Sequence, residues 1–207
     1  DFSDSTNGAL LLEPQRTNAM QYSEDFTQWS LINVTVNSNV GLAPDGTLNA
    51  DRLTFNGNTN ARVEAIASGI DNFSYTNFRP NSVWLKTEGG TTTVQFGSST
   101  SFLRTVTVTE EWQRFTYISR QAFARIKSDN ATSVLAWGYQ FETNGDVSLS
   151  YATSYIPSLS GSTTTRLADV CNNSGSAQDF NSESGVLYAE IKALVDGSIS
   201  RRISLSD

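Results

Sequence analysis

The chain has 207 residues, no histidine, one cysteine and a formal net charge of −7, with only 17 % charged residues. The missing histidine excludes Ser-His-Asp and Cys-His catalysis and His-ligated zinc, and the lone Cys171 closes no intrachain disulfide. An acidic balance gives no electrostatic footprint for nucleic acid, and no apolar run approaches the roughly 20 residues of a membrane-spanning helix, so neither nucleic acid nor membrane insertion is expected. From the N-terminus onward, short β-branched and aromatic runs alternate with Gly, Asn, Asp and Pro, which predicts strands. They fall at 10–13, 29–37, 50–55, 61–66, 73–79, 82–87, 92–97, 102–108, 113–119, 122–127, 133–142 and 151–156. One short helical turn is predicted at 23–29, "SEDFTQW", with Ser23 as N-cap and Phe26 and Trp29 on one face. Residues 163–184, "TTTRLADVCNNSGSAQDFNSES", lack alternation and read as a linker. Residues 185–207 form a hairpin pattern turning at Asp196-Gly197. Its apolar face (Leu187, Ala189, Ile191, Ala193, Val195) needs cover, since a lone hairpin is marginal in water. The start has no initiator Met or basic leader, and the end stops inside a strand pattern. Both read as cuts within a longer protein.

Strand alternation assigns faces. In "WGYQFE", Trp137, Tyr139 and Phe141 are expected in the core, with Gly138, Gln140 and Glu142 outward. In "SVWLKTE", Val83 and Leu85 go in while Trp84 and Lys86 go out. In "TTVQFGS", Val94 and Phe96 go in while Thr93 and Gln95 go out; in "QRFTYIS", Phe115 and Tyr117 go in while Arg114 and Thr116 go out. An indole surrounded by amide, guanidinium, ammonium and carboxylate groups suits a sugar, whose C–H face stacks on the ring while its hydroxyls meet the polar groups. The expected carbohydrate-binding set is Trp84, Lys86, Gln95, Arg114 and Gln140. The competing reading is an ordinary polar sheet face with Trp84 under a loop. Trp29 and Trp112, at strand ends, are expected to be packing anchors.

Three stretches carry a resemblance: "GALLLEPQRTNAMQYSEDFTQWS", "EEWQRFTYIS" and "WGYQFETNGDVSLSYATSYIPSLSGSTTTRLADV". In order and spacing, over 8–170, they resemble a domain common in bacteriophage tail and tail-fibre proteins, itself similar to jelly-roll carbohydrate-binding modules. The resemblance implies an all-β jelly-roll sandwich with a C-terminal hairpin extension. Its parts would be a leading segment at 1–19, the sandwich at 20–162, the linker at 163–184, and at 185–207 the truncated start of a concanavalin-like domain. It further implies a non-catalytic glycan-binding domain of a tail fibre or similar adhesin, in a virion or outside the cell, assembled as a homotrimer. Two alternatives stay open: a structural spacer or trimerisation domain with no ligand, and an accessory domain of a polysaccharide-degrading enzyme.

The carboxylates are weighed in the same frame. Jelly-roll sugar-binding modules often hold a structural Ca²⁺ between first and last strands through oxygen ligands. Glu24 and Asp25 near the start of the domain and Glu142 near its end are the expected ligands, with Asp51 a further candidate; no D-x-D-x-D-G spacing supports them, and solvated surface carboxylates are the alternative. Glycoside hydrolysis needs two carboxylates about 5–10 Å apart across a cleft. Nothing in the sequence pairs Glu64, Glu88 or Glu142 in that way, and no enzyme is expected.

Overall fold

The alternating runs pair into two antiparallel sheets. The computed structural model describes residues 12–70, 77–98, 103–145 and 147–170. Its strands are β1 (Arg16–Asn18), β2 (Ser30–Ile32), β3 (Val34–Leu42), β4 (Leu48–Asn56), β5 (Ala61–Ile66), β6 (Arg79–Lys86), β7 (Thr92–Gly97), β8 (Leu103–Val108), β9 (Gln113–Ser119), β10 (Phe123–Ser128), β11 (Ala131–Thr143) and β12 (Thr164–Arg166). A seven-stranded sheet runs β12-β1-β11-β4-β3, with β6 joining β11 to β9; a five-stranded sheet runs β2-β5-β10-β7-β8. The protein is an all-β sandwich of jelly-roll type.

Between the sheets lies one apolar core. The period of two sends Val83 and Leu85 of β6, Val94 and Phe96 of β7, and Leu53 and Phe55 of β4 into it. Tyr139 of β11 is the largest fully buried side chain, with ring centroids 5.2 Å from Trp29 and 6.1 Å from Phe96. Its hydroxyl donates to Asn81 Oδ1 at 3.2 Å, so its one polar atom is satisfied in the interior. Phe115 and Tyr117 of β9 pack against the same core as partly buried residues.

Several expectations change. The single turn near 23–29 is a 3-10 turn, Phe26–Gln28, whose cap is Asp25 rather than Ser23: the Asp25 side chain accepts the Thr27 N–H. The run at 29–37 splits into β2 and β3 at Asn33, whose φ of 55° breaks the extended path. Residues 151–156 form no strand; their backbone donors go to side chains instead. The sheet also reaches past the expected domain bounds of 20 and 162. β1 pairs with β11 and β12, and beyond them Asp169 N–H donates to Glu13 O at 2.9 Å. The predicted strands at 10–13 and 73–79 lie partly outside the described residues. Most of the linker, Cys171 and the hairpin at 185–207 lie wholly outside them.

The change that matters most for function is in β11. Val134 and Ala136 face the core, and so do Tyr139 and Phe141. Two even and two odd positions on one face require an extra residue between them. That residue is at the bulge between Trp137 and Gln140, where the register with β6 shifts and Gly138 takes φ 62°. Glycine adopts this conformation without the Cβ clash that other residues meet. Trp137, expected in the core, is therefore turned to the other side of the sheet.

Candidate functional site

The outer face of the seven-stranded sheet carries a second apolar cluster. Ala43, Ala50 and Trp137 form its buried base, and Trp84, Trp112 and Tyr155 pack on it partly exposed. Register explains the gathering. Trp84 of β6 lies opposite Trp137 on one side and opposite Arg114 of β9 on the other. On the neighbouring strands the same face is lined by Ala50 and Gly41, which pair with each other. The Leu135 side chain fills the space above Gly41, where an added Cβ would stand 2.7 Å from Leu135 Cδ1. Tyr155 comes from the irregular exit segment and sets its ring 4.7 Å from that of Trp137, tilted by 54°. Lys86, two residues beyond Trp84 and on the same face, holds its ammonium 5.8 Å from the Trp112 ring centroid. Trp112 in turn donates its indole N–H to Leu42 O at 3.0 Å.

Polar groups border the aromatic patch. Glu24 accepts from Asn49 Nδ2 at 2.7 Å and from the Tyr155 hydroxyl at 3.0 Å, and that hydroxyl is 2.6 Å from Ser23 Oγ. Burial raises the Glu24 pKa above the usual carboxylate value, and the Tyr155 hydroxyl partly offsets it. Arg114 donates Nη2 to Ser82 Oγ at 2.9 Å. Desolvation lowers the Arg114 pKa, opposed by the charges of Glu142 and Glu13. Three buried polar atoms around this patch have no hydrogen-bond partner among the described residues: Trp84 Nε1, Arg114 Nε and Asn49 Oδ1. Buried polar atoms are usually paired, so these are exceptions on this sheet face.

The expected binding residues divide. Trp84, Lys86 and Arg114 share the outer face just described. Gln140 is on that face of the sheet but fully buried, because the exit segment lies over it. Its Oε1 accepts from Ile156 N at 2.6 Å, and its Nε2 donates to Glu142 Oε1 at 2.6 Å. It is a fastening for the chain rather than a surface group. Gln95 belongs to the five-stranded sheet, where it accepts from Lys127 Nζ at 3.2 Å. It does not meet Trp84, because outward faces of the two sheets of a sandwich point in opposite directions.

The three expected metal ligands are also separated by role. Glu24 serves the aromatic patch, Asp25 caps the 3-10 turn, and Glu142 is fully buried under the exit segment. Glu142 accepts from Thr153 N at 2.7 Å and Thr153 Oγ1 at 2.9 Å, and Arg16 Nε stands 3.6 Å away. Asp51, the further candidate, accepts backbone N–H groups of Phe26 at 2.9 Å and Asn39 at 3.0 Å. Among the described residues no three His, Cys, Asp or Glu side chains gather as a metal site. Glu64 is on the five-stranded sheet, paired with Arg62 and Arg125, and Glu88 pairs with Arg52 at 2.5 Å.

The residues missed from sequence are Trp137, Trp112, Tyr155 and Asn49. A glycine inside a strand pattern signals a bulge, and Gly138 was the available sign that Trp137 changes face. For Tyr155 no periodic signal exists, since its segment pairs with no strand.

Fold and site together define an all-β jelly-roll domain with an aromatic patch on one sheet face. No family model matches the chain, and no curated protein matches it. Solved structures of similar chain path include a family 11 carbohydrate-binding module from Clostridium thermocellum in complex with a β-1,3-1,4-mixed-linked tetrasaccharide, at 11 % identity and TM-score 0.43 over 66 % of this chain and 99 % of that one. A xylan-binding domain from Paenibacillus barcinonensis is 12 % identical with TM-score 0.43, over 60 % of this chain and 90 % of that one. Tailspike protein 4 of bacteriophage CBA120 is 12 % identical with TM-score 0.38, over 60 % of this chain and 21 % of that one. The chain spans 24 % of an exo-β-agarase to which it is 7 % identical, with TM-score 0.42 over 58 % of its own length.

Proposed function

We propose that the outer face of the seven-stranded sheet binds carbohydrate, with Trp84 as the stacking platform. The observation that carries this reading is the aromatic cluster itself. Trp84, Trp112 and Tyr155 stand partly exposed on a sheet face outside the sandwich core. Three large rings gathered partly exposed on one sheet face, apart from the sandwich core, offer an apolar surface of the kind on which a sugar ring stacks. Their neighbours, Glu24, Asn49, Lys86 and Arg114, supply both donors and acceptors for hydroxyl groups.

One stacked ring is worth about 0.5–1.5 kcal/mol beyond its buried area, by analogy with aromatic pairs. Single-site affinity is therefore weak, and adhesion requires several copies acting together. That need fits the sequence resemblance to phage tail domains, which supports a role as a host-glycan adhesin in a virion or extracellular fibre, presented as a trimer.

A glycan array with the full chain, followed by titration calorimetry on the best hit, tests the reading. Trp84→Ala is expected to abolish binding while leaving the melting temperature within a few degrees, because the ring lies outside the core. Binding that survives the substitution, or a chain that binds no glycan at all, would refute it and favour a spacer without ligand.

A further inference from the structure

The two sides of Trp84 differ in charge. On the β6–β9 side stand Arg114, directly opposite Trp84 in the register, and Lys86, on the same face of β6. Neither forms an ion pair among the described residues, and Glu88, whose charge reaches Lys86, is itself paired with Arg52. The carboxylates whose charges reach Arg114, those of Glu142 and Glu13, are already engaged: Glu142 by Thr153 and Arg16, Glu13 by Ser154 and Arg166. Arg114 itself is half-buried, spends Nη2 on a neutral hydroxyl and leaves a buried Nε unpartnered. A guanidinium whose neighbouring carboxylates are engaged elsewhere, and which makes no ion pair of its own, can take a further anion supplied from outside. On the other side of the patch, Glu24 already accepts from Asn49 and Tyr155.

We propose that this site selects an acidic glycan, placing a sugar carboxylate against Arg114 and Lys86 while the sugar ring stacks on Trp84. The proposal rests on the glycan-binding reading above and adds the charge class of the ligand. The guanidinium fork matches the two oxygens of a carboxylate, and the Lys86 ammonium adds a point charge beside it. With a net charge of −7 the chain as a whole repels anions. Preference for an acidic sugar must therefore come from these two side chains and disappear with them.

The test uses the full 207-residue chain and oligosaccharides of hyaluronan, polygalacturonate and polysialic acid, each beside its carboxyl-reduced neutral counterpart. At least one acidic member is expected to bind about tenfold or more tightly than its reduced form, as charge-assisted hydrogen bonds do over neutral ones. Arg114→Gln and Lys86→Gln are each expected to weaken binding of the acidic form more than that of the reduced form, and so to narrow that gap. Melting curves check the fold of both variants; if Arg114→Gln unfolds the chain, Lys86→Gln at the rim decides. Equal binding of acidic and reduced forms, or a preference that survives the substitutions, overturns the proposal. If only neutral glycans bind, and Trp84→Ala abolishes that binding, the charge assignment fails and the glycan-binding reading stands. If neither class binds, both fall.

Discussion

Gly138 is the residue on which the site turns, and Gly138→Ala measures how firmly. Two costs add. The first is backbone: φ is 62°, and an L-residue in the left-handed region costs about 1–2 kcal/mol relative to glycine. The second is contact. An added Cβ would stand 3.3 Å from both Cε2 and Cζ of Tyr155 and 3.5 Å from Trp84 Cδ1. Tyr155 has little freedom to retreat, because its hydroxyl is tied to Ser23 at 2.6 Å and Glu24 at 3.0 Å. Overpacking of that kind costs about 1–3 kcal/mol. The sum is about 2–5 kcal/mol, or a fall in melting temperature of about 4–20 °C for a domain of this size. Gly46→Ala provides the control, since Gly46 has φ 87° and nothing within 4 Å of an added Cβ. It bears the backbone cost alone. The assay is chemical denaturation of both variants, with tryptophan fluorescence reporting on Trp84 and Trp137. Gly138→Ala is expected to lose at least about 1 kcal/mol more than Gly46→Ala and to shift the fluorescence of the native state. Equal losses in the two variants would show that Tyr155 is not held against the bulge, and the packing argument for the site would fail.

Asp51→Ala removes the acceptor of two backbone donors, Phe26 N–H and Asn39 N–H, and is expected to cost about 2–4 kcal/mol in a denaturant titration; a loss below about 1 kcal/mol would mean that water replaces the carboxylate. Glu142→Gln tests the pH behaviour of the exit fastening. Burial raises the folded-state pKa of Glu142 despite hydrogen bonds from Gln140 and Thr153. A raised carboxyl pKa contributes stability that is complete below the unfolded value of about 4.3 and is lost as pH rises through the folded value. The wild-type chain should thus lose stability relative to the non-titrating variant as pH rises above about 4.3. A wild-type advantage that stays constant or grows over that range contradicts the assignment.

Strand alternation was readable wherever the period of two runs unbroken. The inward and outward residues of β6, β7 and β9 follow from "SVWLKTE", "TTVQFGS" and "QRFTYIS" because each strand keeps one register throughout. It failed at β11, where a single inserted residue at the bulge exchanges the faces on either side. Sheet membership was not readable at all. Gln95 and Trp84 both point outward, but alternation is local to a strand and carries no information on which sheet the strand joins. The strand β12 escaped notice because three residues, Thr164–Arg166, are too short to show a period and are defined only by their pairing with β1.

The misplaced Gln140 and Glu142 expose a further limit, and with it the logic of the site. A sheet face predicted to meet solvent is closed in part by the chain that follows it. Residues 147–158 pair with no strand and bind through side chains: Gln140 takes the Ile156 N–H, Glu142 the Thr153 N–H, and Ser23 Oγ the Ser158 N–H. The same segment carries Tyr155 onto Trp137. Ser23 joins both functions, since its carbonyl accepts the Tyr139 N–H next to the bulge and its hydroxyl meets that of Tyr155. The polar residues expected in a sugar surface thus hold in place Tyr155 of the aromatic patch. Part of the sheet face is spent on fixing the segment, and the part left partly exposed carries Arg114 and Trp84, opposite each other in the register, with Trp112 beside them.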